Sequence, residues 1–193
     1  MNVIIFGATG GIGKWAVEHA LQSGHHVTAY VRNAQKITET NQNLTVIQGN
    51  ICDQQEMTTA LSGQDAAVWC VGIPMKKSYQ KMESLEGHKT LIKAMEANQV
   101  KRLVDWGTPS VHFEQDKKSL ITVVPGIMAG LLFPQAKKEM LAIAKVLRGY
   151  KNERFHFTRR HRCIYDKNAG FGYVYSLHAH YRELIIILIT MAR

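Results

Sequence analysis

The chain is poor in cysteine and proline. Its 193 residues hold three cysteines, Cys52, Cys70 and Cys163, and four prolines. The cysteines lie far apart and form no CxxC pair. This excludes a disulfide framework and a zinc pattern, and it fits a reducing compartment. No metal site is expected. The N-terminus lacks the charged-then-apolar run of a signal peptide. The longest late apolar run, LIIILITM from Leu184 to Met191, is too short to cross a bilayer. The expectation is a cytoplasmic protein with no membrane contact. Charged residues make up 20% of the chain, too few for a disordered polymer, and apolar residues make up 46%, enough for a substantial core. The length argues for one domain, or one domain with a tail.

Acidic charge is also scarce, and the net charge of +9 raises the question of nucleic acid. Its location answers it. Residues 1–147 carry 15 Lys and Arg against 12 Asp and Glu, whereas residues 148–193 carry 9 against 3. The excess sits in the tail. The body offers no basic face worth a nucleic-acid reading, and none is expected as a partner.

What is present is an alternation of short apolar runs and helical patterns. Val3–Phe6, His26–Val31, Leu44–Gln48, Ala66–Val71 and Arg102–Trp106 read as strands. Lys14–Gln22, Gln54–Leu61, Glu86–Gln99 and Pro134–Arg148 read as helices. AAVWCV does not alternate polar with apolar, as expected for a strand covered on both faces. The rhythm predicts an α/β fold: a doubly wound parallel sheet of Rossmann type over residues 1–147. Residues 148–193 form an atypical basic segment that diverges from this pattern or leaves it incomplete.

The opening stretch, MNVIIFGATGGIGKWAVEHAL, holds the main motif. Gly7, Gly10 and Gly13 form GxxGxxG between a strand and a helix, with Gly11 as an extra glycine. Gly7 suits a sharp exit from the strand. Gly10 lets backbone approach a pyrophosphate, and Gly13 lets helix and strand pack closely. The helix N-terminus offers amides and partial positive charge to phosphates. Thr9 can add a hydroxyl. The competing reading is a glycine-rich turn with no ligand. A Walker loop is excluded, because Trp15 follows Gly13-Lys14. At the end of the second strand, AYVRN places Arg32 where an NAD-preferring chain carries Asp or Glu. A guanidinium suits a 2′-phosphate by charge and forked geometry, so NADP(H) is expected over NAD(H). A solvated surface charge is the alternative for Arg32.

FGATGGIGKWAVEHAL, AYVRN, VIQGNICD and VKRLVDWGT together resemble the atypical short-chain dehydrogenase/reductase group. Its NAD(P)H-binding members include NmrA-like regulators and flavin/biliverdin reductases. The resemblance covers roughly residues 1–147. It implies that Gly7, Thr9, Gly10, Gly11, Ile12 and Gly13 line the pyrophosphate and that Arg32 takes the 2′-phosphate. It implies that Asn50, standing for the family's Asp, and Ile51 border the adenine. Val71 and Gly72 would lie near the cofactor ribose. Each of these last four also reads as an ordinary strand-end residue.

The family's usual enzymes place a Tyr four residues before a Lys, with a Ser or Thr after the fifth strand. The Lys lowers the Tyr pKa, and the Tyr gives the proton. Here Lys137 follows Phe133, which has no proton to give. Thr108 is the candidate for the hydroxyl, although it also reads as a turn residue before Pro109. Tyr79 and His112 are spare proton donors in loops. Related members also lack the Tyr. Two functions follow: an NADPH-dependent oxidoreductase of a small carbonyl, quinone or flavin-like substrate, or a non-catalytic NADP(H)-sensing regulator that acts on a protein partner.

After the last helix the family has a strand ending in two aliphatics and Arg-Pro. This chain reads RFHFTRRHRCIYDKN. Arg159, Arg160, His161 and Arg162 cannot sit in a strand buried on both faces without a large desolvation cost. Phe157-Thr158 resembles the beginning of that strand, but the strand is expected to be absent or frayed, or the tail to fold elsewhere, with residues 148–193 frameshifted or degenerate. RRHR as an anion or nucleic-acid patch is the rival reading, and Phe155, Phe157 and Tyr165 are too irregular for base-stacking platforms. LIIILITM reads as a compensating buried strand or an aggregation-prone edge.

Overall fold

The structure is a computed structural model that describes residues 1–107, 127–149 and 155–159. Six parallel strands form one sheet. In chain order they are β1 (Asn2–Phe6), β2 (His26–Val31), β3 (Leu44–Gln48), β4 (Ala66–Trp69), β5 (Arg102–Gly107) and β6 (Phe155–Arg159). Their spatial order is β3-β2-β1-β4-β5-β6. The connections carry α1 (Gly11–Gln22), α2 (Gln54–Ala60), α3 (Glu83–Ala97) and α4 (Pro134–Gly149). The strand order reverses between β2-β1 and β1-β4, which opens a crevice at the carboxyl ends of those strands.

The pleat of β1 divides the core in two. Ile4 and Phe6 point to one face, with Tyr30, Trp69 and Leu103, against Met57, Leu91, Met95 and Ile143 of α2, α3 and α4. Val3 and Ile5 point to the other, with Val27, Ala29 and Val68, against Ala16, Val17 and Ala20 of α1. Burying both faces explains why these strands are continuous apolar runs. Each large side chain so buried contributes about 1.5–3 kcal/mol. Phe6 stacks at a tilt between Tyr30 and Trp69, with ring centroids 5.1 and 5.5 Å away.

Helix ends follow local chemistry. The Asp53 carboxylate accepts the Gln55 and Glu56 amides at 2.9 Å and starts α2. Pro134 occupies the first position of α4, where its missing N–H costs nothing. α3 begins at Glu83, three residues before the expected start at Glu86, and β4 ends at Trp69, before Val71.

One expectation is corrected. The strand after α4 is not absent: Phe155–Arg159 pairs in parallel with β5, from Leu103↔Phe155 to Gly107↔Arg159. It lies at the end of the order of described strands, and a strand at a sheet edge is less restrictive toward charge than a central one. Arg160, His161, Arg162 and LIIILITM lie outside the described residues. Among the described residues no helix is long and apolar enough to cross a membrane.

Candidate functional site

The site is built where β1 turns into α1. Gly7 leaves the strand at φ +76°, a conformation that side-chain-bearing residues rarely adopt. A Cβ there would lie 2.8 Å from the Cys70 carbonyl carbon and 2.9 Å from the Val71 nitrogen. The Gly10 amide then closes a turn onto the Gly7 carbonyl at 2.9 Å. Gly13 is buried in the first turn of α1, and a Cβ on it would collide with the Gly7 carbonyl oxygen. The two glycines therefore set how closely helix and strand meet.

Gly10 caps α1 with extended backbone and no side-chain hydrogen bond, and no acidic residue occupies the first turn. The first helical bond runs from the Lys14 amide to the Gly10 carbonyl at 2.9 Å. The amides of Gly11, Ile12 and Gly13 have no acceptor within the helix. The positive end of α1 thus reaches the crevice without a neutralising group.

A cavity of about 500 Å³ runs from this turn across the strand ends. Gly7, Thr9, Gly10, Arg32, Ile51, Val71 and Gly72 all line it. A second cavity of about 830 Å³ adjoins it, lined by Arg32, Gln48, Asn50, Ile51 and Glu56 among others. Of the residues expected at the site, Gly11, Ile12 and Gly13 form the start of α1 and line neither cavity. Asn50 is held rigidly: its amide donates to Glu56 Oε2 at 2.7 Å, and its Oδ1 accepts the Cys52 amide at 3.0 Å. Glu56 Oε2 also lies 3.5 Å from the Tyr30 hydroxyl. Burial, and then the charges of Glu56 and Asp53, push the Tyr30 phenol up to about 12.

Of the two candidate catalytic residues, the structure describes only Lys137. Lys137 lines neither cavity; its side chain lies against Gly130, with Nζ 3.2 Å from the place a Cβ there would take. Thr108 and His112 lie outside the described residues. Tyr79 does reach the cavity. Its hydroxyl donates to Glu139 Oε2 at 2.6 Å, while Glu139 Oε1 accepts the Leu85 amide at 3.0 Å in the first turn of α3. Glu139 is fully buried. Burial, this hydrogen bond and the Glu139 charge raise the Tyr79 pKa. Sequence reasoning missed Glu139, although a signal existed. It falls on the same stripe of α4 as Ala136, Ile143 and Leu147, where a carboxylate needs a partner.

Behind the crevice, His88 bridges α3 and β5. Its Nδ1 lies 2.6 Å from the Ser84 carbonyl and its Nε2 3.1 Å from Asp105 Oδ2. A carbonyl only accepts, so Nδ1 carries a proton. Cys70, at the end of β4, is pushed up to about 12 by burial and then by Asp105. Among the described residues no group of His, Cys, Asp or Glu could hold a metal ion.

A dinucleotide fits this architecture. The missing side chains at Gly7 and Gly13 let β1, β4 and the start of α1 close up on one another, and Gly7, Thr9 and Gly10 then border the open cavity. Ser84, only 3% exposed, lines the same cavity with a hydroxyl that has no hydrogen-bond partner among the described residues. A family model described as NAD(P)H-binding matches residues 7–148.

The chain belongs to the NAD(P)H-binding family.

Relatives within and around this family agree with that membership. The chain is 29% identical over 106 residues to the photosystem II assembly factor Ycf39 of Synechocystis sp., across 54% of this chain and 32% of the relative. It is 33% identical over 81 residues to phenylcoumaran benzylic ether reductase TP7 of Nicotiana tabacum, across 37% of this chain and 26% of the relative. The matches therefore span a third or less of these relatives' own length. Among solved structures, ChuY, an anaerobilin reductase from Escherichia coli O157:H7, superposes with a TM-score of 0.61 at 20% identity, covering 82% of this chain and 71% of that one. At that identity the likeness shows the fold. The family also agrees with the resemblance to atypical short-chain dehydrogenases/reductases carried by the glycine motif.

Proposed function

We propose that the chain is an NADPH-dependent reductase of a small carbonyl, quinone or flavin-like substrate. The observation that carries this reading is the position of Arg32. It lines the same cavity as Gly7, Thr9 and Gly10, with no acidic residue in its place at the end of β2. A forked cation there favours a 2′-phosphate over a bare ribose hydroxyl. When bound, the nicotinamide supplies hydride. The chain's own residues bind and orient: the α1 amides hold the pyrophosphate, Arg32 holds the 2′-phosphate, and Asn50 and Ile51 border the adenine. Val71 and Gly72 flank the ribose. Reductase activity in the named relatives, TP7 and ChuY, supports the reaction class.

A second reading has an observation of its own. Phe133 stands where a catalytic Tyr would. The missing phenol favours a redox-sensing regulator that binds NADP(H) and signals to a protein partner without turnover, whereas the retained Lys137 favours the reductase. NADPH oxidation against a panel of quinones, flavins and aldehydes separates the two. Turnover with any of them supports the reductase; saturable NADPH binding with no turnover supports the regulator. Equal NADP+ and NAD+ affinities in both the wild type and Arg32→Ala would contradict the role given to Arg32.

A further inference from the structure

We propose that Lys81 is the second cation of the 2′-phosphate site, so that the choice between NADP(H) and NAD(H) is set jointly by Arg32 and Lys81 from opposite sides of the crevice. This inference rests on the reading of Arg32 given above and extends it to a residue 49 positions downstream. Arg32 follows β2, whereas Lys81 ends the loop between β4 and α3. The crossover from β4 to α3 brings that loop over the strand ends. Arg32 and Lys81 each line both adjoining cavities, and they are the two cations that do so.

The surrounding charges sharpen the assignment. Glu56 is spent on the Asn50 amide, and Glu86 pairs with Lys89 at 2.8 Å. Glu83 sits in the first turn of α3, where the helix end favours a carboxylate. Arg32 and Lys81, both exposed, have no hydrogen-bond or ion-pair partner among the described residues. Two unpaired cations facing one space suit a dianionic phosphomonoester better than the single hydroxyl of NAD. The loop carrying Lys81 is also anchored, because Tyr79, two residues earlier, is tied to Glu139. Lys81 is thus presented at a fixed edge of the crevice, with only its own side chain left to order on binding.

Calorimetry on the full chain with 2′,5′-ADP and 5′-ADP tests this. The variants are Lys81→Gln, Arg32→Gln and Lys76→Gln, the last an exposed lysine of the same loop that lines neither cavity. The wild type is expected to prefer 2′,5′-ADP. Lys81→Gln should cut that preference about tenfold while leaving 5′-ADP affinity unchanged, and Lys76→Gln should change neither. Unchanged 5′-ADP binding also reports that the variant is folded. If Lys81→Gln keeps the full preference while Arg32→Gln loses it, Lys81 has no part in the site and the reading of Arg32 stands. Equal losses in Lys81→Gln and Lys76→Gln would reduce the effect to loop charge and overturn the inference. A wild type with no preference would remove both readings together.

Discussion

The phenol of Tyr79 and the carboxylate of Glu139, 60 residues apart in the chain, meet at 2.6 Å. This bond ties the loop that walls the crevice to the buried face of α4. The same carboxylate takes the Leu85 amide and so also fixes the start of α3. Gln135 adds a long 3.5 Å contact from its Nε2 to the Tyr79 carbonyl. One buried anion thereby positions three elements around the site.

Removing the phenol leaves the Glu139 carboxylate with one partner fewer in a dry place. Tyr79→Phe is expected to lower stability by about 1–3 kcal/mol, read as a shift of the urea midpoint. The loop at 70–82 should also become more sensitive to trypsin at Lys76, Lys77 and Lys81 under native conditions. Unaltered cleavage and midpoint would show that the bond does not hold the loop.

Gly13→Ala is expected to weaken dinucleotide binding and to cost about 1–3 kcal/mol, because the new methyl meets the Gly7 carbonyl and must push α1 off β1. Gly11→Ala is the contrast. A Cβ at Gly11 has nothing within 4 Å, so stability should hold or rise by up to about 1 kcal/mol. Chemical denaturation of both variants checks the pair. Equal losses would mean that helix–strand contact is not the constraint at Gly13.

The His88–Asp105 contact is 3% and 4% exposed at its two side chains. His88→Ala takes a hydrogen-bonding partner from a buried carboxyl group and opens space beside Trp69, whose ring centroid lies 4.4 Å from that of His88. The expected loss is about 3–5 kcal/mol. Asp105→Asn keeps a polar group of the same shape and should cost less. The order of the two denaturation midpoints is the test, and a reversed order would contradict the weight given to the buried His88 ring.

Stability should also decline in alkali. Cys70, pushed from 9.0 to about 12, and Tyr30, pushed from 10.0 to about 12, both hold their protons more tightly when folded. Such groups contribute stability that is fully present below the unfolded pKa and is lost as pH rises through the folded one. The window is therefore about pH 9 to 12. Cys70→Ala should flatten the early part of the decline in urea midpoints, and Tyr30→Phe the part above about pH 10. An identical pH profile in both variants would assign the decline to other groups.

The sheet was legible because its signals are local. Strand β1, the glycine turn and α1 are contiguous in sequence, and continuous apolar runs require cover on both faces. Arg32 was visible because it directly follows a strand whose position in the sheet was already implied. Glu139, Lys81 and the His88–Asp105 pair were not visible, because each acts through a crossover. Nothing near residue 81 says that it will stand opposite residue 32. The strand at Phe155–Arg159 was doubted for a related reason. Its desolvation cost was reckoned for a central strand, whereas β6 ends the order of described strands.

The central claim is that the bare amides at the start of α1 receive the diphosphate of a nicotinamide nucleotide. Isothermal titration of the full chain with NADPH and NADH tests it most directly. The expected result is saturable binding of NADPH, tighter than that of NADH. No heat from either nucleotide at millimolar concentration, with the protein shown to be folded, would contradict it.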